Sequence, residues 1–441
     1  MAGLEDLGVQ LKPHIAIVGG GCAGLATAAQ LAATGMPVTL FEAAPQLGGR
    51  ARGLNWNGRR LDNGQHILLG AYHETMRLLR LAGVDVAKNM LRLPLQLTVH
   101  PHFELHAARH LPAPFHIVGG LLRAKGLSWR ERLAALRLMT LLKLTRFRLP
   151  QDEILSLFLE RHRQPESLVR LLWEPLCLAV LNTPLNQASA QVFLNVLRDS
   201  FSRARSDSDL LLPCQDLSTL IMDPLAQFVR HAGSTICLET MVSSIQTHDG
   251  GFAVHHGNLT DYFSHVVLAV SPFRAGELMS ALPALADASR WCEAFTYQPI
   301  ITIYLQYPDN VRLPTPLICL TGGHAQWVID RGALDGQAGL LAVVISATGA
   351  HQTLTQAALA TAVAEELRIA FPGWPAQLWH KVIAEKRATF ACTPGLPRPQ
   401  QRTNLPNFYL AGDFTAGDYP ATIEGAVRSG VKCAQLILDH L

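Results

Sequence analysis

Three short clusters of residues have types and spacings that could do chemistry. Near the start of the chain, Gly19-Gly20-Gly21-Cys22-Ala23-Gly24 follows the apolar run HIAIV and precedes LATAAQLAATG, and Glu42 ends a second apolar run, MPVTLFEA. A glycine turn between strand and helix suits an anion: Gly19 permits the tight turn, Gly21 lets the backbone approach a pyrophosphate, and Gly24 lets helix and strand pack closely. The helix N-terminus adds free N–H groups and the positive end of a dipole. Glu42 lies eighteen residues past Gly24, where a carboxylate accepts hydrogen bonds from a ribose. This order of strand, turn, helix, strand and acid predicts a dinucleotide site running from Gly19 through Cys22 and Ala23 to Glu42 and Ala43. An ordinary structural turn is the alternative.

The second cluster, Gly48-Gly49-Arg50, comes soon after the acid and feeds LNWNGRRLDNGQHILLG. Asn57-Gly58 between two short runs predicts a β-hairpin there. The third lies near the other end: the strand-like Asn407-Phe408-Tyr409-Leu410-Ala411, then Gly412-Asp413, then a helix starting near Thr422 and Ile423. Its apolar or small residues fall at 423, 426, 427, 430, 431, 434, 437 and 438, the helical spacing. A strand thus delivers Asp413 to a sheet edge, and a helix points its N-terminus at the same region.

Together these clusters resemble the flavoproteins of the amine oxidase and phytoene desaturase superfamily. The resemblance implies an α/β fold: a discontinuous Rossmann-like FAD-binding domain (14–95, 205–271 and 385–441) with an interleaved α+β substrate domain (96–204 and 272–384). It also implies that Gly49 and Arg50 contact the FAD pyrophosphate, that Gly412 and Asp413 hold the ribityl chain or pyrophosphate, and that the helix at Thr422 and Ile423 faces the flavin. Val242, in the stretch from Ser234 to Val270 that reads as three strands, would supply a backbone contact to the adenine; an ordinary core strand explains it nearly as well. The DNGQH stretch would pass the isoalloxazine, bringing Gln65 and His66 to the cofactor and making His66 and Asp62 candidate polar groups for catalysis. Tyr419 would be an aromatic wall beside the ring. Each has a plainer alternative: a histidine satisfied by backbone, a turn-forming aspartate, a core-packing tyrosine.

LDNGQHILLGAYHETMRLL and LAGDFTAGDYPATIEGAVRSG resemble one branch in particular, the squalene-associated FAD-dependent desaturases, or hydroxysqualene dehydroxylases, of hopanoid precursor synthesis. That resemblance implies delivery of two electrons to an allylic alcohol on a C30 isoprenoid, with release of water and squalene. Two other readings remain open: a carotenoid-type desaturase or isomerase, and a prenyl-binding carrier resembling the GDP-dissociation inhibitors, which bind no flavin. Glu42, Arg50 and Asp413 argue against the carrier. No second complete nucleotide fingerprint follows a strand, so the electron donor is expected from outside, either NADPH or a redox protein.

Composition sets the bounds. The 441 residues are 49% hydrophobic and 16% charged with a net charge of +3, which excludes a disordered chain or a polycation and allows two to three domains. Yet between Arg109 and Arg148 there are nine Arg or Lys and one acid, Glu131. Within that stretch, Trp129 to Phe147 predicts an apolar and basic helix, the pattern of an anchor on an anionic membrane surface; a packed helix whose arginines reach solvent is the alternative. No recognition motif points to nucleic acid. The eight scattered cysteines lack metal-ligand spacing, so no metal site is expected and a reduced compartment is the simplest reading. Residues 1–12 carry Glu5 and Asp6 without a long apolar run, unlike a secretory signal. The expected location is cytoplasmic, peripheral to the membrane.

Overall fold

Ile15, Ala16 and Ile17 are completely buried because they form the centre of a parallel sheet covered on both faces, the arrangement that makes strands read as continuous apolar runs. In the computed structural model, which describes residues 13–440, five parallel strands lie in the order Thr235–Cys237, Val38–Phe41, Ile15–Val18, His265–Leu268, Phe408–Leu410. Their register sets Ile15 against both Val38 and His265, and Val266 against Phe408. The chain therefore returns to one sheet from three distant segments, and the carboxyl ends of the strands gather Gly19, Glu42 and Gly412 at one edge. Residues 1–12, where the absence of a secretory signal was expected, lie outside the described residues.

Helices Cys22–Ala32 and Ile423–Leu438 pack face to face on this sheet. Gly430 makes this close approach possible, and Gly24 lets the first helix lie against its own turn. A Cβ on Gly24 would lie 1.9 Å from the Gly19 carbonyl oxygen, and one on Gly430 would lie 2.2 Å from that of Ala23. The final helix starts as its sequence predicts, with Thr422 as N-cap accepting from the Gly425 amide at 3.1 Å. The Asn57-Gly58 turn, both residues at positive φ, joins strands Gly53–Trp56 and Arg59–Asp62 in the expected hairpin.

Between Ser234 and Val270 the structure has five strands rather than the three expected. Glu239, at φ 52°, breaks the run after Thr235–Cys237, which joins the parallel sheet; Val242–His248, Gly251–His256 and Leu259–Phe263 form a separate antiparallel ribbon, and His265–Leu268 returns to the parallel sheet.

A seven-stranded sheet forms a second layer, in the order Trp379–Phe390, Tyr297–Gln306, Leu340–Ser346, Trp327–Asp330, Leu317–Cys319, Gln96–Val99, Phe103–His106. Trp379–Phe390 crosses the expected boundary at 384/385. It keeps pairing with Tyr297–Gln306 up to the Tyr297–Phe390 register, absorbing a bulge near Gln298, and no turn residue interrupts it there. Helices between Phe115 and Phe201 cover this part of the molecule around a core including Leu138, Leu142, Phe158, Trp173 and Phe193. Among them, Trp129–Leu144 begins with a capping box in which Ser128 and Glu131 satisfy each other's backbone amides.

Candidate cofactor site and adjoining cavities

The glycine turn divides into positions the protein itself requires and positions it leaves open. Gly19 adopts φ +112°, and a Cβ there would lie 2.5 Å from the Ala269 carbonyl oxygen; this glycine is demanded by the fold, like Gly24. Gly21 has an ordinary extended backbone, and a Cβ there would meet no protein atom within 4 Å. Gly49, facing it, would meet only the Gly21 Cα at 3.7 Å. The two glycines lie in contact and together make a cradle floor bare of side chains at the head of helix Cys22–Ala32, against which a pyrophosphate can pack. Cys22 and Ala23 form the first turn of that helix. Burial pushes the Cys22 thiol up to about 12, despite the opposing Arg50 charge, so it stays protonated and is no nucleophile.

Glu42 accepts hydrogen bonds from the amides of Gly20 at 2.7 Å and Ala44 at 2.8 Å. Those two bonds aim the carboxylate and leave lone pairs for a further donor. Ala43 beside it is exposed. On the far side, Val242 is buried; its carbonyl accepts from Arg274 at 3.0 Å, next to a bulge that shifts the ribbon register.

Arg50 and Asp413 sit 363 residues apart in sequence and meet directly. One Arg50 nitrogen lies 2.8 Å from each Asp413 oxygen, and another donates to the Ala388 carbonyl at 2.8 Å. This clasp ties the second and third motifs together across the cradle. Gly412 precedes it, its amide held by Ser429 at 3.0 Å. Arg398, not singled out by the sequence, donates to the carbonyls of Asp413, Phe414, Gly417 and Tyr419 and so holds the whole loop before the final helix. A second unforeseen residue, Glu424, is fully buried and accepts from the Thr75 amide and hydroxyl, the Glu74 amide and Arg428.

Asp62, Gln65 and His66 line one small cavity, about the size of a water. Behind it, Arg331 is almost wholly buried, paired with Asp335, 2.8 Å from Gln65 Oε1 and 3.5 Å from Asp62. Tyr304 completes the cluster, accepting from Gln65 Nε2 at 2.8 Å and donating to the Asp62 carbonyl at 2.9 Å. Asp62 is thus engaged by the Leu217 amide at 2.8 Å as well as by Arg331. Burial raises its carboxyl to about 6, with Arg331 opposing. His66 Nδ1 lies 2.8 Å from the Gly64 carbonyl; since a carbonyl only accepts, the proton is on Nδ1 and Nε2 carries a lone pair. Burial lowers the imidazole's proton affinity, partly offset by that hydrogen bond, and Arg50 lowers it further. The arrangement makes His66 a hydrogen-bond acceptor at Nε2 rather than a standing acid.

Tyr419 is buried with its ring beneath the Arg428 guanidinium, 4.3 Å from the ring centre. It lines a second cavity with Tyr72, Val180, Val196, Asp199 and Thr422. Of the sequence-derived candidates, Gly19, Gly21, Gly24, Glu42, Gly49, Arg50, Gly412 and Asp413 gather around the cradle. Asp62, Gln65 and His66 share one cavity, while Tyr419 and Thr422 share the other.

A two-layer molecule with this sheet edge defines the class: an FAD-dependent oxidoreductase, and the residues present suit the cofactor, since Gly21 and Gly49 leave the head of the first helix bare of side chains, as the approach of a pyrophosphate needs. The chain belongs to the family of flavin containing amine oxidoreductases, whose sequence pattern matches residues 22–438. Among curated proteins it is similar to hydroxysqualene dehydroxylases of Sinorhizobium fredii (25% identical; 98% of this chain, 99% of the relative) and Zymomonas mobilis (25%; 96% and 99%). It is also similar to the zeta-carotene desaturase of Synechocystis (22%; 97% of each). Among solved structures, cyclohexylamine oxidase from Brevibacterium oxydans shares the fold with a TM-score of 0.73 at 17% identity, covering 97% of this chain and 99% of that one.

Proposed function

We propose that this protein reduces hydroxysqualene to squalene in squalene and hopanoid synthesis, removing an allylic hydroxyl as water. The observation that carries this reading is likeness to hydroxysqualene dehydroxylases over 96–98% of the chain. The net change consumes two electrons and two protons and releases one water.

In this reading the cofactor is held by the turn from Gly19 to Gly24, by Glu42 and Ala43 at the ribose, by Gly49, Arg50, Gly412 and Asp413 at the pyrophosphate and ribityl chain, and by Val242 near the adenine. Thr422 and Ile423 present a helix N-terminus to the flavin, where a positive dipole end favours negative charge. Bound FAD supplies the two-electron hydride chemistry. Gln65, fixed by Tyr304 and Arg331, holds the adjoining strand in place. His66 keeps its proton on Nδ1 and offers Nε2 to a donor. The site would have to exclude water, which would otherwise capture a carbocation. Electrons come from outside the chain, from NADPH or a redox protein.

The substrate partitions into lipid, and the structure carries a surface suited to reaching it. Helices Phe115–Arg123 and Trp129–Leu144 leave Phe115, Leu122, Trp129, Leu133, Leu141 and Leu144 exposed. Among the described residues, the side chains of Arg123, Arg130, Arg146 and Arg148 make no hydrogen bond or ion pair. Arg132 and Arg137 differ from the expectation of a free basic stripe: they donate to the carbonyls of Leu122, Ala124 and His162 and hold the helices together. Apolar side chains ringed by unpaired cations fit an anionic bilayer surface. No helix among the described residues is long and apolar enough to cross a membrane.

The decisive experiment offers the FAD-loaded protein hydroxysqualene under reducing, anaerobic conditions, and separately offers it phytoene with a quinone acceptor. Squalene from the first supports the proposal. Desaturated product from the second, with none from the first, replaces it with the carotenoid-type reading that the desaturase likeness favours.

A further inference from the structure

The loop 411–422 joins strand Phe408–Leu410 to helix Ile423–Leu438, and a second segment, 398–401, clamps it. Arg398 directs its whole guanidinium to that loop's backbone. Its Nη2 donates to the Asp413 carbonyl at 2.6 Å, Nε to Phe414 at 3.3 Å, and Nη1 to Gly417 at 3.1 Å and Tyr419 at 2.8 Å. Gln401 adds the Ala416 carbonyl at 2.8 Å and the Thr415 hydroxyl at 3.0 Å, and the Pro399 carbonyl accepts from the Ala416 amide at 2.8 Å. A trans peptide unit points its C=O and N–H to opposite sides, so drawing the Asp413 carbonyl to Arg398 turns the Phe414 amide away from it. The amides of Asp413 and Phe414 donate to no protein group among the described residues, although both residues are buried. Buried amides are nearly always paired, so these two consecutive donors call for an acceptor that the protein does not supply.

The same side chain is a cation without a counter-ion. Three other arginines around this loop are each paired: Arg50 with Asp413, Arg198 with Asp199 and Asp418, and Arg428 with Glu424. Arg398 makes no ion pair among the described residues, and the Phe390 ring covers its guanidinium at 5.1 Å. Burial pushes its pKa down, with Asp413 and Asp418 among the groups opposing, and a guanidinium stays charged. Carbonyl dipoles solvate that charge without cancelling it. Tyr419, which Arg398 holds, lies three residues before Thr422, no more than about 11 Å of extended chain.

We propose that Arg398 is a positioning residue for the flavin: it sets the loop that offers the Asp413 and Phe414 amides to FAD, and its uncompensated positive charge favours the reduced ring. The inference deepens the proposed function and rests on its placement of the flavin at Thr422 and Ile423. Two-electron reduction adds negative charge to the ring, and a nearby fixed cation favours that state. At about 10 Å and an effective dielectric of about 20, one unit charge changes such an equilibrium roughly tenfold.

The test is an anaerobic reductive titration of the FAD-loaded protein against a reference dye, beside an FAD titration read from flavin fluorescence. Arg398→Gln should bind reduced FAD about tenfold less tightly relative to oxidised FAD, a fall of about 30 mV in the two-electron potential, and should bind FAD more weakly overall. Arg398→Lys keeps the charge without the fork, so it should hold the wild-type potential while losing FAD affinity. An unchanged potential in Arg398→Gln overturns the inference, as does an equal fall in both variants, which would assign the effect to loop geometry alone. If Arg398→Gln does not accumulate, Arg398→Lys decides: a lowered potential or an unaltered FAD affinity overturns the role. Substrate turnover is read separately. A wild type that forms no squalene, with a potential that falls in Arg398→Gln, overturns the proposed reaction and leaves Arg398 its role; squalene formation with an unmoved potential does the reverse.

Discussion

Gly21 and Gly24 lie three residues apart in one turn, yet the structure predicts opposite failures when each becomes alanine. At Gly21 the backbone is extended (φ −78°, ψ −174°) and an added Cβ meets no protein atom within 4 Å. Gly21→Ala should therefore change the stability of the cofactor-free protein by no more than about 1 kcal/mol, the scale of exchanging residues at a helix N-cap. The methyl group instead intrudes on the cradle shared with Gly49. Overpacking a fitted contact costs about 1–3 kcal/mol, which corresponds to a loss of FAD affinity of roughly five- to 150-fold. At Gly24 the added Cβ would lie 1.9 Å from the Gly19 carbonyl oxygen, so strand and helix must separate and the folded state itself suffers. The assay is a thermal melt of each apoprotein beside an FAD titration followed by quenching of flavin fluorescence. Gly21→Ala should melt near the wild type and bind FAD weakly, and Gly24→Ala should melt well below it or fail to accumulate. Unaltered FAD affinity in Gly21→Ala would refute the placement of the pyrophosphate in this cradle.

Glu424→Gln removes the charge from a fully buried carboxylate that receives four hydrogen bonds; breaking a buried pair costs about 3–5 kcal/mol, so the melting temperature should fall by several degrees, and calorimetry checks it. Asp62 is ionised less readily in the folded protein, at about 6, than in the unfolded chain. The native state therefore holds the proton more tightly between about pH 4 and 6, and this group's contribution to stability grows as pH falls through that window. Asp62→Asn should flatten that part of the stability profile measured by denaturant titration, and an unchanged slope would count against a raised carboxyl. Replacing Arg130, Lys143, Arg146 and Arg148 with Gln should weaken co-sedimentation with phosphatidylglycerol vesicles by about fivefold per charge, from about 1 kcal/mol each near the surface, and leave binding to neutral phosphatidylcholine unchanged. Equal binding to both vesicle types by the wild type would dismiss the electrostatic part of that surface.

What the sequence determined by itself is local. The Asn57-Gly58 hairpin and the start of the last helix at Thr422 depend on residues a few positions apart, where backbone sterics and short hydrogen bonds dictate the outcome, and the glycine turn meets Glu42 within a single βαβ unit. The gathering of three distant segments on one sheet was legible only through a resemblance. The partners were decided by the tertiary structure. Arg50 could have been a solvated turn residue until the fold set it against Asp413, and Arg331 and Glu424 look like ordinary surface charges until their burial with matched partners is seen. Arg132 and Arg137 share the composition of the basic stripe but bind carbonyls of neighbouring helices. Asp199 and Tyr419 are 220 positions apart, and nothing in the spacing of either suggests the other. Ion pairs and shared cavities depend on three-dimensional distance and on exclusion of water, and neither quantity is written in the order of residues along the chain.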